Sequence, residues 1–180
     1  MSTPDPIEVQ FGLAHDCIRA CVFADHIART NPKEEVWLSI CDMCYSDAVI
    51  AWNIVFGSNS QKSHWKQIAE SLPIPSSSKL KPFGLPMLLE YLGTTELQWK
   101  AYHKSLVDFR NNRLAHFRTD VSSVEQPNVT WMLHSACLYR EWLILLLKAQ
   151  QREGKNIEVT ETTQKEMLSM FRRQISEVCR

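Results

Sequence analysis

Apolar residues recur at helical spacing along almost the whole chain, and no stretch shows the period-2 alternation of a half-buried strand. The first segment runs through Ile7, Leu13, Cys17, Ala20, Cys21 and Ala24 towards Thr30, with Asp5 or Thr3 able to cap it and Pro6 in its opening turn. Asn31-Pro32 restarts the chain: Asn31 caps, Pro32 suits the first helical position, and Glu34 and Glu35 suit the positive end of the dipole. The second stripe, Val36, Ile40, Cys44, Ala48, Ala51, Trp52 and Val55, stops at Gly57. These two segments predict an antiparallel helical hairpin.

Ser58 to Ser63 is polar and loop-like, and His64-Trp65-Lys66-Gln67-Ile68 gives a short helical turn at most. Between Leu72 and Pro86, four prolines, three consecutive serines and a glycine prevent regular structure; so long a connection is expected to be mobile or functional. Leu85 to Leu92 reads as a short helix ended by Gly93. Thr95, with Gln98 three residues on, makes a capping box for a central helix whose stripe is Trp99, Tyr102, Leu106 and Phe109, flanked by Leu114 and Phe117. Asp120 to Asn128 is a loop. Pro127 opens a further long helix through Trp131, Leu138, Trp142, Leu145 and Leu146, ending before Gly154. Thr163 with Glu166 caps a last amphipathic helix through Met167, Met170, Phe171, Ile175 and Val178.

The prediction is an all-α bundle of four long helices plus a C-terminal helix and short helical insertions, in one domain over residues 1–180. Composition agrees: 44% hydrophobic residues exclude a disordered chain, and only five glycines favour helices over turn-rich β structure. Trp142 to Leu147 is apolar nearly all round and belongs in the middle of the bundle or at a subunit interface, with Trp37, Trp52, Trp99, Trp131 and Trp142 as core by default. That run is too short to span a bilayer and no basic segment precedes an apolar one at the N-terminus, so a cytoplasmic protein without membrane contact is expected.

A net charge of zero gives no global attraction for polyanions, so any such partner must meet a local patch. Lys100, Lys104, Arg110, Arg113 and Arg118 form one, against Asp108 alone and with His103 and His116 interleaved. The stretch Asp108 to Arg118 also sets Arg110, Asn111, Asn112, Arg113 and His116 among apolar core positions, where cations are costly unless paired or used. Histidine titrates near neutral pH and exchanges protons, and a guanidinium fork matches two phosphate oxygens.

Arg110-Asn111 followed by His116 resembles the arginine-polar-histidine signature of HEPN domains, helical bundles found in many RNA-cutting toxins and phage-defence proteins. Trp52-x3-Phe56-Gly57 followed by His64-Trp65-Lys66 resembles the abortive-infection branch of that family, so the similarity spans roughly residues 35 to 120. The resemblance implies a homodimer whose two protomers line one cleft, and metal-independent endoribonuclease activity in a toxin or defence setting, leaving 2′,3′-cyclic phosphate ends. It implies that Arg110 stabilises the pentacoordinate phosphate, His116 exchanges a proton with the 2′-hydroxyl or the leaving oxygen, and Asn111 orients either. Arg113, Lys104, Arg118, His64 and Trp65 are then candidate RNA contacts, and a protein inhibitor or antitoxin is a further partner. Some HEPN toxins carry a modifiable tyrosine two residues after the histidine; here that position is Arg118, which does not fit control by that route. The alternative is a non-catalytic HEPN-like module that binds RNA, nucleotides or protein.

Helix geometry adds a constraint. Six residues of straight α-helix separate Arg110 and His116 by about 120° and about 9 Å, so by geometry alone the neighbours of His116 would be Asn112 and Arg113; the shared cleft that the resemblance implies lets a second copy of the helix supply the partner instead, which makes a dimer a requirement of the catalytic reading.

Cys17-x3-Cys21 and Cys41-x2-Cys44 each put two sulfurs on one helix face, the spacing of a four-thiolate zinc site, but they fall on apolar stripes where buried cysteines are ordinary. No metal or other cofactor is expected. His64-Trp65 reads either as a base-stacking element or as the plug of a loop on the core, the latter by default. No Gly-rich phosphate loop, His-Glu-x-x-His or Gly-x-Ser-x-Gly is present.

Overall fold

The structure, a computed structural model, describes residues 6–30, 34–115, 126–155, 157, 159 and 162–179. Among them the chain is all-helical. In order come α1 (Pro6–Thr30), α2 (Glu35–Phe56), α3 (Trp65–Ser71), α4 (Leu85–Leu92) and α5 (Glu96–Phe109), then a π-helical turn (Arg110–Ala115), α6 (Val129–Arg152) and α7 (Gln164–Val178).

α1 packs along α2 and α6, with α7 closing its far side. α1 is the inner helix of the group: Cys17, Ile18, Cys21 and Ala24 are all at most 2% exposed. α6 contributes Met132, Tyr139, Trp142, Leu143 and Leu146 to the same core, in keeping with its nearly all-round apolar sequence. Two buried tryptophans find partners for their ring N–H groups. Trp52 Nε1 donates to Ser135 Oγ at 2.9 Å, joining α2 to α6, and Trp142 Nε1 donates to the Lys81 carbonyl at 2.9 Å.

Several boundaries differ from the sequence pattern. α2 begins at Glu35 with Glu34 at the cap position and no side-chain cap, rather than at Pro32. Residues 1–5 and 31–33, with the caps expected at Thr3, Asp5 and Asn31, lie outside the described residues. α6 begins at Val129, capped by Asn128 Oδ1 accepting from the Thr130 N–H at 2.7 Å, so Pro127 precedes the cap instead of opening the helix. The turn after His64 extends into a seven-residue helix. Both capping boxes, Thr95/Gln98 and Thr163/Glu166, form as the sequence predicts, and Gly93 ends α4 with φ +60°.

The long connection from Leu72 to Gly84 is tied to α6 rather than loose: Gln150 Nε2 donates to the Pro73 carbonyl at 3.1 Å, Trp142 holds Lys81, and Phe83 is buried 4.9 Å from the Tyr139 ring. A residue the pattern did not single out, Arg140, is 3% exposed with its guanidinium 4.9 Å from the Phe11 ring, and burial lowers its pKa.

α2 is divided along its length. Its C-terminal half buries Tyr45, Ala48, Val49, Trp52, Val55 and Phe56, while Val36, Met43 and Ile50, seven residues apart, are 60%, 69% and 44% exposed. It is also the described helix whose length and mean hydropathy of 1.2 meet the criteria for a membrane span, which the run at Trp142 did not suggest. Only 39% of that window is buried.

Candidate functional site

α5 carries the candidate motif and is positioned by its start. The Thr95 hydroxyl accepts from the Gln98 N–H and Gln98 Oε1 accepts from the Thr95 N–H, which sets the register in which Trp99, Leu106 and Phe109 face inward. Leu106 is fully buried. Asn53 of α2, 4% exposed, donates through Nδ2 to the Val49 carbonyl at 2.9 Å and reaches the Leu106 carbonyl at 3.5 Å.

At Arg110 the regular helix gives way to the π turn. Asn111 and Asn112 compete for backbone hydrogen bonds and are weak helix formers, and turns of this kind recur at functional sites. Within residues 110–115 the backbone therefore departs from straight α-helical spacing, its hydrogen bonds spanning five residues instead of four. His116 and Arg118 themselves lie outside the described residues.

The motif side chains that are described do not sit alike. Arg110 is half-buried and donates through Nη1 to Asn111 Oδ1 at 2.9 Å, a contact that orients the guanidinium and leaves its other donors for a ligand. Arg113 is exposed and lies 5.6 Å from the Phe109 ring. Phe109 in turn meets Tyr45 edge-on at 5.3 Å, so the π turn rests on α2. Lys104 donates to Asp108 across one turn of exposed helix, which neutralises part of the basic patch. Among the described residues no carboxylate pairs with Arg110 or Arg113.

The Phe56-Gly57 and His64-Trp65-Lys66 stretches meet one another and α5. His103 Nε2 lies 2.7 Å from the Phe56 carbonyl and 3.0 Å from that of Gly57. Carbonyls only accept, so Nε2 carries the proton and a neutral ring keeps Nδ1 as an acceptor. His64 caps α3 by accepting the Lys66 N–H at Nδ1, 3.2 Å away, and its ring also hydrogen-bonds the Phe56 backbone. It is 1% exposed, and burial, reinforced by the Lys66 charge, lowers its pKa to about 4, so it is neutral at pH 7.

Trp65 is 8% exposed and packs edge-on against Phe83 at 5.0 Å, as a plug. The same groups border a cavity of about 330 Å³ between the end of α2, α3, α4 and the start of α5. His64 and Trp65 are thus brought together with His103 and Lys100, two residues the sequence reading had not placed in a site of their own. The available signal was spacing: His103 stands seven residues before Arg110, on the same side of a helix two turns away.

The cysteines follow their apolar stripes. Cys17 and Cys21 are buried, and burial together with the Cys21 neighbour pushes the Cys17 thiol well up; Cys41 Sγ donates to the Ala24 carbonyl at 3.5 Å. Burial also pushes Cys137 up to about 12. Among the described residues no three His, Cys, Asp or Glu side chains are grouped to hold a metal ion.

Comparison with known proteins finds no matching family model, curated protein or solved structure.

Proposed function

We propose that this chain is a HEPN-type endoribonuclease that works as a homodimer and cuts RNA without a metal ion, in a toxin or defence role. The observation that carries the reading is the placement of Arg110 and Asn111. A half-buried guanidinium, oriented by its neighbour and without a carboxylate partner among the described residues, sits on a π turn two helical turns along α5 from His103, where the other resembling stretch folds together. A guanidinium matches two oxygens of a phosphodiester, which supplies an opposite charge at this position.

In this mechanism Arg110 gathers the charge that develops on the phosphate, and Asn111 holds the guanidinium in place. His116 takes the proton from the 2′-hydroxyl or returns it to the departing 5′-oxygen; attack of the 2′-oxygen leaves a 2′,3′-cyclic phosphate and a 5′-hydroxyl. The exposed heptad-spaced residues Val36, Met43 and Ile50 of α2, the helix on which the π turn packs, are consistent with the self-association the mechanism needs.

The test is cleavage of RNA in the presence of a chelator. Cyclic-phosphate products from the wild type, abolished in both Arg110→Ala and His116→Ala with unchanged folding and oligomeric state, are the expected result. Full activity in His116→Ala overturns the mechanism, and RNA binding with no strand scission assigns the chain to the non-catalytic class.

A further inference from the structure

We propose that the 330 Å³ cavity beside α3 is a subsite that takes one unpaired nucleotide of a single-stranded RNA, next to the phosphate held at Arg110. This rests on the ribonuclease reading for its place along the strand, but not for its ability to bind.

The cavity has the size and lining for that unit. Its volume lies at the low end of the range for small-ligand sites, enough for a single nucleotide and too small for a duplex. Its walls are the edges of Trp65 and Trp99 with Leu85 and Leu88, and no carboxylate lines it. Lys66 and Lys100 supply positive charge. Lys66 lies 5.6 Å from the Trp65 ring, and Lys100 makes an exposed pair with Glu96 at 2.6 Å. So exposed a pair is held weakly, and a phosphate can displace it.

Hydrogen-bonding capacity is present as well. Ser58 and Asn59 border the cavity with a hydroxyl and an amide, and His103 has Nδ1 left for hydrogen bonding beside an Nε2 that faces two carbonyls. An aromatic and apolar recess with a few polar groups and flanking cations suits a base and its phosphate, and only an unstacked base can enter it. Along α5, His103 and Arg110 are two turns apart, about 10 Å and within about 20° of the same face, the reach of a nucleotide or two.

The experiment has two arms. In the first, the Arg110→Ala protein is titrated with a short single-stranded oligoribonucleotide, the same sequence as a duplex, and a free 5′-mononucleotide, using tryptophan fluorescence. The single strand should bind about tenfold or more tighter than the duplex, and Lys66→Ala/Lys100→Ala and Asn59→Asp should each weaken it about tenfold with unchanged circular dichroism. Equal binding of single strand and duplex, or no effect of either variant, overturns the subsite. Mononucleotide binding as tight as that of the strand also overturns it, assigning the cavity to a free nucleotide.

In the second arm, cleavage sites are mapped on an RNA of mixed sequence with Arg110 intact. The pocket variants should change the base preference beside the cut, and an unchanged rate and pattern overturns the proposal while leaving the ribonuclease reading standing. Cleavage that survives Arg110→Ala sinks the ribonuclease reading alone, since the binding arm still judges the cavity.

Discussion

Gly57 terminates α2 and presents one of the two carbonyls that hold His103, so adding a single methyl group there tests how rigidly this corner is built. A Cβ at Gly57 would fall well inside van der Waals contact with the Asn53 carbonyl oxygen, and 3.2 Å from both the Asn53 carbonyl carbon and Oδ1. The obstacle is backbone from the preceding turn, which moves only if the hydrogen bond from the Gly57 N–H to that oxygen, 3.0 Å long, is distorted. Overpacking of this kind costs about 1–3 kcal/mol and a weakened hydrogen bond about 1 kcal/mol more, against about 0.4–1 kcal/mol gained from a stiffer unfolded chain. Gly57→Ala should therefore lose about 2–3 kcal/mol, a fall in Tm of about 5–10 °C for a chain of this size. Gly12, inside α1 with nothing within 4 Å of its added Cβ, is the control, and Gly12→Ala should gain about 0.5–1 kcal/mol. Thermal unfolding followed by circular dichroism reads both. An unchanged Tm in Gly57→Ala would show that the end of α2 yields freely, and the argument that it fixes His103 would fail.

Acid should weaken the fold through His64. Its folded pKa of about 4 lies below the ordinary 6.5, so between these values the unfolded chain holds the extra proton, and stability falls as pH drops from about 6.5 to about 4. The loss is about 3 kcal/mol, and His64→Gln should flatten most of that slope in urea titrations; His15, whose pKa burial also lowers, leaves a remainder of the same sign. An identical slope in the variant would place the pH dependence elsewhere. At the start of α7, Thr163→Ala removes a cap whose hydroxyl accepts from the Glu166 N–H, and should cost about 1 kcal/mol in chemical denaturation, with no change indicating that the box is not formed in solution. Met43→Glu, on a side chain 69% exposed, should leave the unfolding free energy of a protomer within about 0.5 kcal/mol and reduce self-association in sedimentation; undiminished dimers would remove α2 from the interface.

How far each feature was readable depends on the range of the interactions behind it. The helices and most of their ends follow from residues within four positions of one another: the stripes through Cys17 to Ala24 and Trp99 to Phe109, the two capping boxes, and the glycine after α4. Such signals survive in sequence because a helix is stabilised turn by turn. The charged motif was visible for a similar reason, as polar residues out of place in an apolar pattern.

What the sequence could not decide depends on distant segments meeting. His103 and His64 converge on the Phe56 backbone only because α2, α3 and α5 pack at one corner, and the spacing of His103 from Arg110 marks its helix face without showing what that face meets. The irregular stretch from Leu72 to Gly84 looked loose because its anchors, Trp142 and Gln150, lie far along the chain. The π turn at Arg110 was hidden in a helical pattern that continues through it: Asn111 and Asn112 weaken the helix locally, and Phe109 and the turn are seated on α2. Periodicity records which face of a helix avoids water, whereas the partner that face meets is settled by the collapse of the whole chain.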